Sequence, residues 1–277
     1  MRIDAHQHYW KLSRGDYSWI SPEMSVLYRD YLPADLQPDL QRHRIEKTIV
    51  VQAAATLAET EYLLELAECD ESIAGVVGWV DMFNPSYVHA YERFAGHPKF
   101  AGFRTMLQDL ADSSVILDRG YMEALSFFER RGTPIDLLVK TPQLDALIEA
   151  LGQVPRLHAV IDHLAKPHIA EGVLEPWRTQ MAKIGAMPNI YCKLSGMVTE
   201  TDHQNWTPEQ LEPYIRHVLE QFGPDRVMFG SDWPVCLLAG SYTDVMHALE
   251  RALPEHWTQT EREKLFGGNA ATFYRMK

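Results

Sequence analysis

Short runs of branched apolar residues recur along this chain, and each is followed by a longer stretch in which apolar positions return every three or four residues. The runs fall at residues 2–6, 47–52, 74–81, 100–105, 134–139, 157–163, 189–195 and 226–232, and their length and branching predict buried β-strands. Between them, residues 59–69 place Leu63, Leu64 and Ala67 on one helical face, and residues 119–131 do the same with Met122, Leu125, Phe128 and Glu129. Strand and helix alternate throughout, which predicts parallel strands joined by right-handed crossovers. Eight such repeats in 277 residues predict an α/β protein of the closed (β/α)8 TIM-barrel class. An open doubly wound sheet is expected to carry a glycine-rich phosphate turn after its first strand, and here that position holds His6-Gln7-His8. No low-complexity tract, charge block or Pro/Gly/Ser-rich linker divides the chain, so one domain over residues 1–277 is expected. The closing Gly267-Gly268-Asn269-Ala270 predicts a turn capping a short last helix, with Phe273 and Tyr274 against the barrel wall.

One connection is too long to be only a connection. Residues 9–33 carry Tyr9, Trp10, Tyr17, Trp19, Tyr28 and Tyr31 without strand or helical period, and they leave the C-terminal end of the first strand, the face where barrel loops carry function. Aromatic faces stack on the C–H face of a sugar ring while a polar rim serves its hydroxyls, so Trp10, Tyr17 and Trp19 are candidate substrate contacts. The same rings could equally anchor a large loop.

Composition narrows the partners. With 46% hydrophobic and 23% charged residues the chain is an ordinary globular one, and a formal net charge of −12 disfavours nucleic acid and anionic membrane surfaces, which would repel it. A small-molecule substrate fits better. The N-terminus runs straight into a strand without a basic and apolar leader, and no window reaches the roughly 18 uninterrupted apolar residues of a membrane span, so a soluble cytoplasmic protein is expected. Cys69, Cys192 and Cys236 are odd in number, widely spaced and free of any Cys-x-x-Cys pairing, as expected for reduced thiols. Cys192 reads as core packing. Nothing in the sequence sets an oligomeric state.

Candidate chemistry lies at the predicted strand ends, which converge on one mouth of a barrel. Strict alternation puts His6 and His8 on one face of the first strand, with Ala5 and Gln7 outward. Arg104 lies near the end of the fourth strand, His163 ends the sixth, Lys193 and Ser195 end the seventh, and Asp232 ends the eighth. Singly, each has a plainer use: Arg104 pairing a carboxylate, Lys193 extending to solvent, Asp232 capping the next segment of chain. As a set, three imidazoles and a carboxylate match the ligands of zinc or a similar borderline ion with a position open for water.

Four segments carry a resemblance. His6-Gln7-His8, Val160-Ile161-Asp162-His163-Leu164-Ala165-Lys166-Pro167, Tyr191-Cys192-Lys193-Leu194-Ser195-Gly196 and Phe229-Gly230-Ser231-Asp232-Trp233-Pro234 resemble the amidohydrolase superfamily, metallo-dependent hydrolases built on a TIM barrel. More narrowly they are similar to its lactonase branch, which hydrolyses fuconolactone, rhamnonolactone, muconolactone and pyrone dicarboxylate. The resemblance runs from residue 2 to residue 276. The superfamily commonly adds a histidine ligand from the fifth strand, and Pro134-Ile135-Asp136-Leu137-Leu138-Val139-Lys140 has none. The resemblance therefore implies a divalent metal, zinc, held weakly or dispensably by His6 and His8 with His163 or Asp232. Asp136, a charge inside an apolar strand, needs a partner if buried, and a supporting role is expected for it.

The implied reaction is hydrolysis of a cyclic ester, with Asp232 as general base and later proton donor to the ring alkoxide. A metal, or Arg104 with the imidazoles, would face the developing oxyanion. Lys193 would orient substrate or hold Asp232, while Trp233, Ser195 and the aromatic loop would shape the pocket. The mixture of Asp16 and Asp30 with Lys11, Arg14 and Arg29 in that loop favours a neutral sugar lactone, opened to its aldonic acid. The alternatives are a muconolactone or pyrone-dicarboxylate type of lactone, a related decarboxylase and a non-catalytic sugar-acid binding protein.

Overall fold

Helix signals in the sequence act where they stand. Thr56 caps the helix Leu57–Cys69 by accepting from the Glu59 amide at 3.1 Å, Ser241 and Asp244 cap the helix Tyr242–Ala252 reciprocally, and the helix Arg119–Arg131 stops at Gly132, whose φ of 58° suits a residue without a side chain. The computed structural model describes residues 1–276. Its strands are β1 Ile3–Gln7, β2 Lys47–Val51, β3 Ile73–Trp79, β4 Phe100–Met106, β5 Ile135–Leu138, β6 Ala159–Ile161, β7 Ile190–Leu194 and β8 Val227–Phe229. The helices are α1 Pro33–His43, α2 Leu57–Cys69, α3 Tyr87–Phe94, α4 Arg119–Arg131, α5 Leu144–Gln153, α6 Trp177–Gly185, α7 Pro208–Phe222, α8 Tyr242–Ala252, α9 Gln259–Glu263 and α10 Asn269–Phe273.

The strands lie in chain order, each parallel to the next. The ring closes where Gln7 bridges Trp233, through the amide of His8 donating to the Trp233 carbonyl at 2.7 Å and that of Asp232 to the His6 carbonyl at 2.8 Å. The (β/α)8 barrel expected from the apolar pattern is present. Its later strands are shorter than their apolar runs, so that His163, Ser195 and Asp232 lie just beyond strand ends, in loops.

Alternation sorts the strand side chains. Phe103, Ile135, Leu137, Ile161, Cys192 and Leu194 join the helix-facing core. A separate cluster of Ile3, Ala5, Ile49, Val51, Val77, Ala101, Val160 and Met228 gathers inside the ring, together with Phe273 and Tyr274 from the C-terminal end. Ala5 thus faces inward, against the outward placement that strict alternation predicts. The β1–β2 register shifts between Asp4 and Gln7, and this irregularity lets Ala5 and His6 both serve the interior. Gln7 does face outward, donating to the Thr48 hydroxyl at 3.1 Å.

The loop after β1 is tied at its base by a bridge between Trp10 and Tyr31. Trp10 is fully buried, donates its indole N–H to the Arg29 carbonyl at 2.8 Å and packs edge-on against Trp19 and Tyr31. Cys192 is buried, and the three cysteines are unpaired. Among the described residues no helix is long and apolar enough to cross a membrane.

Candidate active site

Asp232 stands at the C-terminal mouth of the barrel with its Oδ1 3.2 Å from His8 Nε2, 3.8 Å from His6 Nε2 and 3.9 Å from His163 Nε2. All four residues are buried, none more than 4% exposed. Backbone conformation aims them. Asp232 has φ of 57°, and His163, Leu164, Ala165 and Lys166 form four successive left-handed residues with φ between 48° and 59°, at a cost of about 1–2 kcal/mol each. Packing holds that turn: buried Trp177 of α6 donates its indole N–H to the Leu164 carbonyl at 2.6 Å. Gly196 allows His163 to sit close, since a Cβ there would fall 2.4 Å from the ring Nδ1.

The outer ring nitrogens are fixed by their neighbours. His8 Nδ1 lies 2.8 Å from the Val51 carbonyl, so it carries the proton, and the lone pair of a neutral His8 is then on Nε2, facing the Asp232 carboxylate. Two electron-rich atoms 3.2 Å apart call for a proton or a cation between them. His163 Nδ1 meets the Ser195 hydroxyl at 2.9 Å.

Beneath this tier is a layer of buried charge. Lys193 Nζ lies 2.5 Å from Asp136 Oδ2 and 3.1 Å from Asp162 Oδ1. Arg104 Nη1 lies 3.5 Å from Asp162 Oδ2, and Arg104 Nη2 donates to the Gln52 carbonyl. Tyr274 from the barrel floor donates to Asp136 at 2.9 Å. Two carboxylates balance two cations, which a low-dielectric interior requires. Burial raises the Asp136 carboxyl to about 6. It acts to raise Asp162 as well, but Lys193 and His6 hold that carboxyl well below the usual range. Burial keeps His6 neutral and lowers His163 to about 4, so the fixed positive charge comes from Arg104 and Lys193. Burial acts to raise the Asp232 carboxyl, but wherever His163, His8 or His6 carries a proton toward it that carboxyl is held well below the usual range.

The structure thus gathers His6, His8, His163, Arg104, Ser195 and Asp232 at one point. Lys193 lies in the layer below, engaged with Asp136 and Asp162. Trp233 is 3% exposed and packs edge-on against Tyr9 and Tyr31. Tyr17 is buried, whereas Trp19 is 39% exposed with its indole N–H on the Ala53 carbonyl, 2.8 Å away. Asp162 and Asp4 went unrecognised in the sequence, although each is a charge within an apolar run, the signal that singled out Asp136. Asp4 Oδ1 accepts from the amides of His6 and Ser231 at 3.1 and 2.9 Å, clamping β1 to the loop that bears Asp232.

A divalent ion fits this donor set. His6, His8 and Asp232 offer ligand atoms within 4.8 Å of one another, and the facing lone pairs of His8 and Asp232 are what a cation would relieve. A separate cleft of about 660 Å³ lined by Met1, Arg2, Lys264 and Phe266 opens at the barrel's other end, away from this donor set.

Comparison with known proteins gives a consistent picture. The amidohydrolase family pattern matches residues 3–276. An L-fucono-1,5-lactonase of Burkholderia ambifaria is 41% identical over 280 residues, covering 99% of this chain and 96% of that one, and one of Burkholderia multivorans is 39% identical, covering 100% and 96%. A crystal structure of a Burkholderia multivorans amidohydrolase with bound zinc is 38% identical and superposes with a TM-score of 0.94 over 100% of both chains.

Proposed function

The chain belongs to the amidohydrolase family, and from that premise we propose that it hydrolyses the lactone of a sugar acid, an L-fuconolactone-like ring, to the open aldonic acid. The observation that carries this reading is the convergence of Asp232 Oδ1 on three imidazole Nε2 atoms at 3.2 to 3.9 Å, together with relatives named for lactone hydrolysis.

Ester hydrolysis needs a proton acceptor for water, positive potential at the carbonyl oxygen and a proton donor for the leaving alkoxide. Asp232, ionised and screened from bulk solvent, takes the proton of the attacking water and passes it to the ring oxygen. Arg104 supplies fixed positive charge beside His6 Nε2, 3.5 Å from its Nη1, and Ser195 orients the His163 ring. A zinc ion held by His6, His8 and Asp232, with His163 beside them, would polarise the carbonyl and lower the pKa of water. The proposed localisation is cytoplasmic.

Trp19 and Tyr17 border the sugar ring in this reading, and buried Trp10 and Trp233 hold their loops from behind. Arg104 and Lys193, the cations beside the imidazoles, are already paired with Asp162 and Asp136 and are not free to receive extra substrate carboxylates. This favours a neutral polyol lactone over a dicarboxylate.

Asp232→Asn keeps the shape of the side chain and removes its basicity. Turnover of sugar lactones, followed by acid release in a pH-indicator assay with and without zinc, is expected to fall about 100- to 10,000-fold with an unchanged circular dichroism spectrum. Near-normal turnover by the variant would remove Asp232 as base. Carbon dioxide among the products, or no acid release by the wild-type protein across the lactone panel, would overturn the reaction itself.

A further inference from the structure

His6 is the one imidazole of the site whose inner nitrogen has two competing neighbours. Its Nδ1 lies 3.3 Å from Asp162 Oδ1, an acceptor, and 3.2 Å from Lys193 Nζ, a donor. The choice decides what the ring presents to the reaction: a proton on Nδ1 leaves a lone pair on Nε2, and a lone pair on Nδ1 puts the proton on Nε2.

Three observations select the first. Arg104 Nη1 points a donor at His6 Nε2 from 3.5 Å, and Lys193 Nζ points one at Nδ1 from 3.2 Å; neither can accept, and a neutral ring can accept from only one of them. Lys193 has its charge taken up by two carboxylates, Asp136 at 2.5 Å and Asp162 at 3.1 Å, and gains little from a neutral ring. Asp162 is fully buried, and its oxygens have His6 Nδ1 at 3.3 Å, Lys193 Nζ at 3.1 Å and Arg104 Nη1 at 3.5 Å around them with none in hydrogen-bond alignment, so a small turn of the neutral His6 ring is what satisfies one of them. A buried carboxylate in that state takes the imidazole proton most profitably.

We propose that Asp162 is a positioning residue that holds His6 as its Nδ1–H tautomer, with Lys193 and Asp136 as its counter-charges, so that the Nε2 lone pair faces the reaction centre. The arrangement is the carboxylate–imidazole pairing by which a ligand's outer neighbour sets its orientation and basicity. Its position in the chain serves the same end: Asp162 immediately precedes His163 at the end of β6, so one strand end supplies an imidazole to the upper tier and the carboxylate that orients another. The proposal rests on the reading of the imidazoles and Asp232 as the reaction centre, but its test needs no turnover.

In protein labelled with ¹⁵N-histidine, long-range proton–nitrogen correlation reports each ring's tautomer, with the His6 signals identified by their loss in His6→Asn. Wild-type protein is expected to show His6 protonated at Nδ1; protonation at Nε2 overturns the proposal. Zinc affinity, measured by competition with a chromophoric chelator, is expected to fall roughly 10- to 100-fold in Asp162→Asn. The double variant Asp162→Asn/Lys193→Met restores the charge balance of the buried layer. It is expected to keep the low affinity, because neutrality returns without an acceptor of equal strength at Nδ1. Wild-type affinity in Asp162→Asn would overturn the proposal, and wild-type affinity regained only in the double variant would show that Asp162 serves charge balance alone. Should Asp162→Asn fail to fold, the wild-type spectrum and the double variant decide the matter. A protein that opened no lactone but showed Nδ1–H at His6 would refute the proposed reaction and leave this assignment standing.

Discussion

At Asp232 and His163 side-chain chemistry depends on backbone torsion. Both have positive φ, a conformation that ordinary residues adopt at a cost and that packing must offset. Gly196 is part of that support. It has φ of +57°, and its missing Cβ makes room for the His163 ring. Gly196→Ala is therefore expected to destabilise the fold by about 1–2 kcal/mol from the left-handed alanine alone, and to lower kcat/KM far more than that loss suggests, because the ring must move. Urea denaturation and steady-state kinetics on the same preparation check this. Wild-type kinetics from a destabilised variant would mean that His163 needs no such placement.

Between elements, the junctions that carry the site are held by buried carboxylates. Glu59 is three residues past the N-cap of α2 and reaches back to accept from the amides of Ala53 and Ala54 at 3.0 and 2.7 Å, fixing the turn after β2. Burial raises its carboxyl from 4.5 to about 7. With the folded pKa above the unfolded one, the folded state binds the proton more tightly. The resulting stability is fully present below pH 4.5 and is lost as pH rises through about 7. The difference is on the order of 3 kcal/mol. Glu59→Gln is expected to flatten the pH dependence of the melting temperature between pH 5 and pH 8. An unchanged slope would show that this carboxyl is not the group responsible. The strands also explain why boundaries drawn on apolar runs overshoot: β6 and β8 have only three residues in ladder conformation, and the residues after them turn out of the ladder to face the mouth.

Across the whole molecule, the barrel interior is stacked in tiers. At the bottom is the apolar plug of Ile3, Ile49, Met228 and Phe273, above it the neutral set of Arg104, Asp136, Asp162 and Lys193, and at the mouth His8, His163 and Asp232. The plug supports the tiers above without touching substrate. Phe273 is fully buried, stacked 4.2 Å from the His158 ring. Phe273→Ala is expected to cost about 3–5 kcal/mol, read by urea denaturation, and to leave kcat/KM at low temperature within a few-fold. A collapse of kcat/KM in a variant that is still folded would show that the floor tunes the site as well as supporting it.

The sequence by itself determined the fold class, because the alternation of short branched runs with helical periods is a local property that a parallel barrel obeys. It also determined which residues stand at strand ends, and hence the meeting of His6, His8, Arg104, His163, Ser195 and Asp232, since in a closed ring all those ends share one mouth. Only tertiary structure decided the rest. That Ala5 turns inward depends on a register shift, that Trp10 is an anchor depends on what Arg29 and Tyr31 place around it, and that Lys193 serves Asp136 and Asp162 depends on which lumen side chains share its tier. Periodicity along a chain fixes which face a residue is on. It does not fix which charge from another strand will stand opposite, because that is set by barrel closure and by the requirement that buried charges find partners.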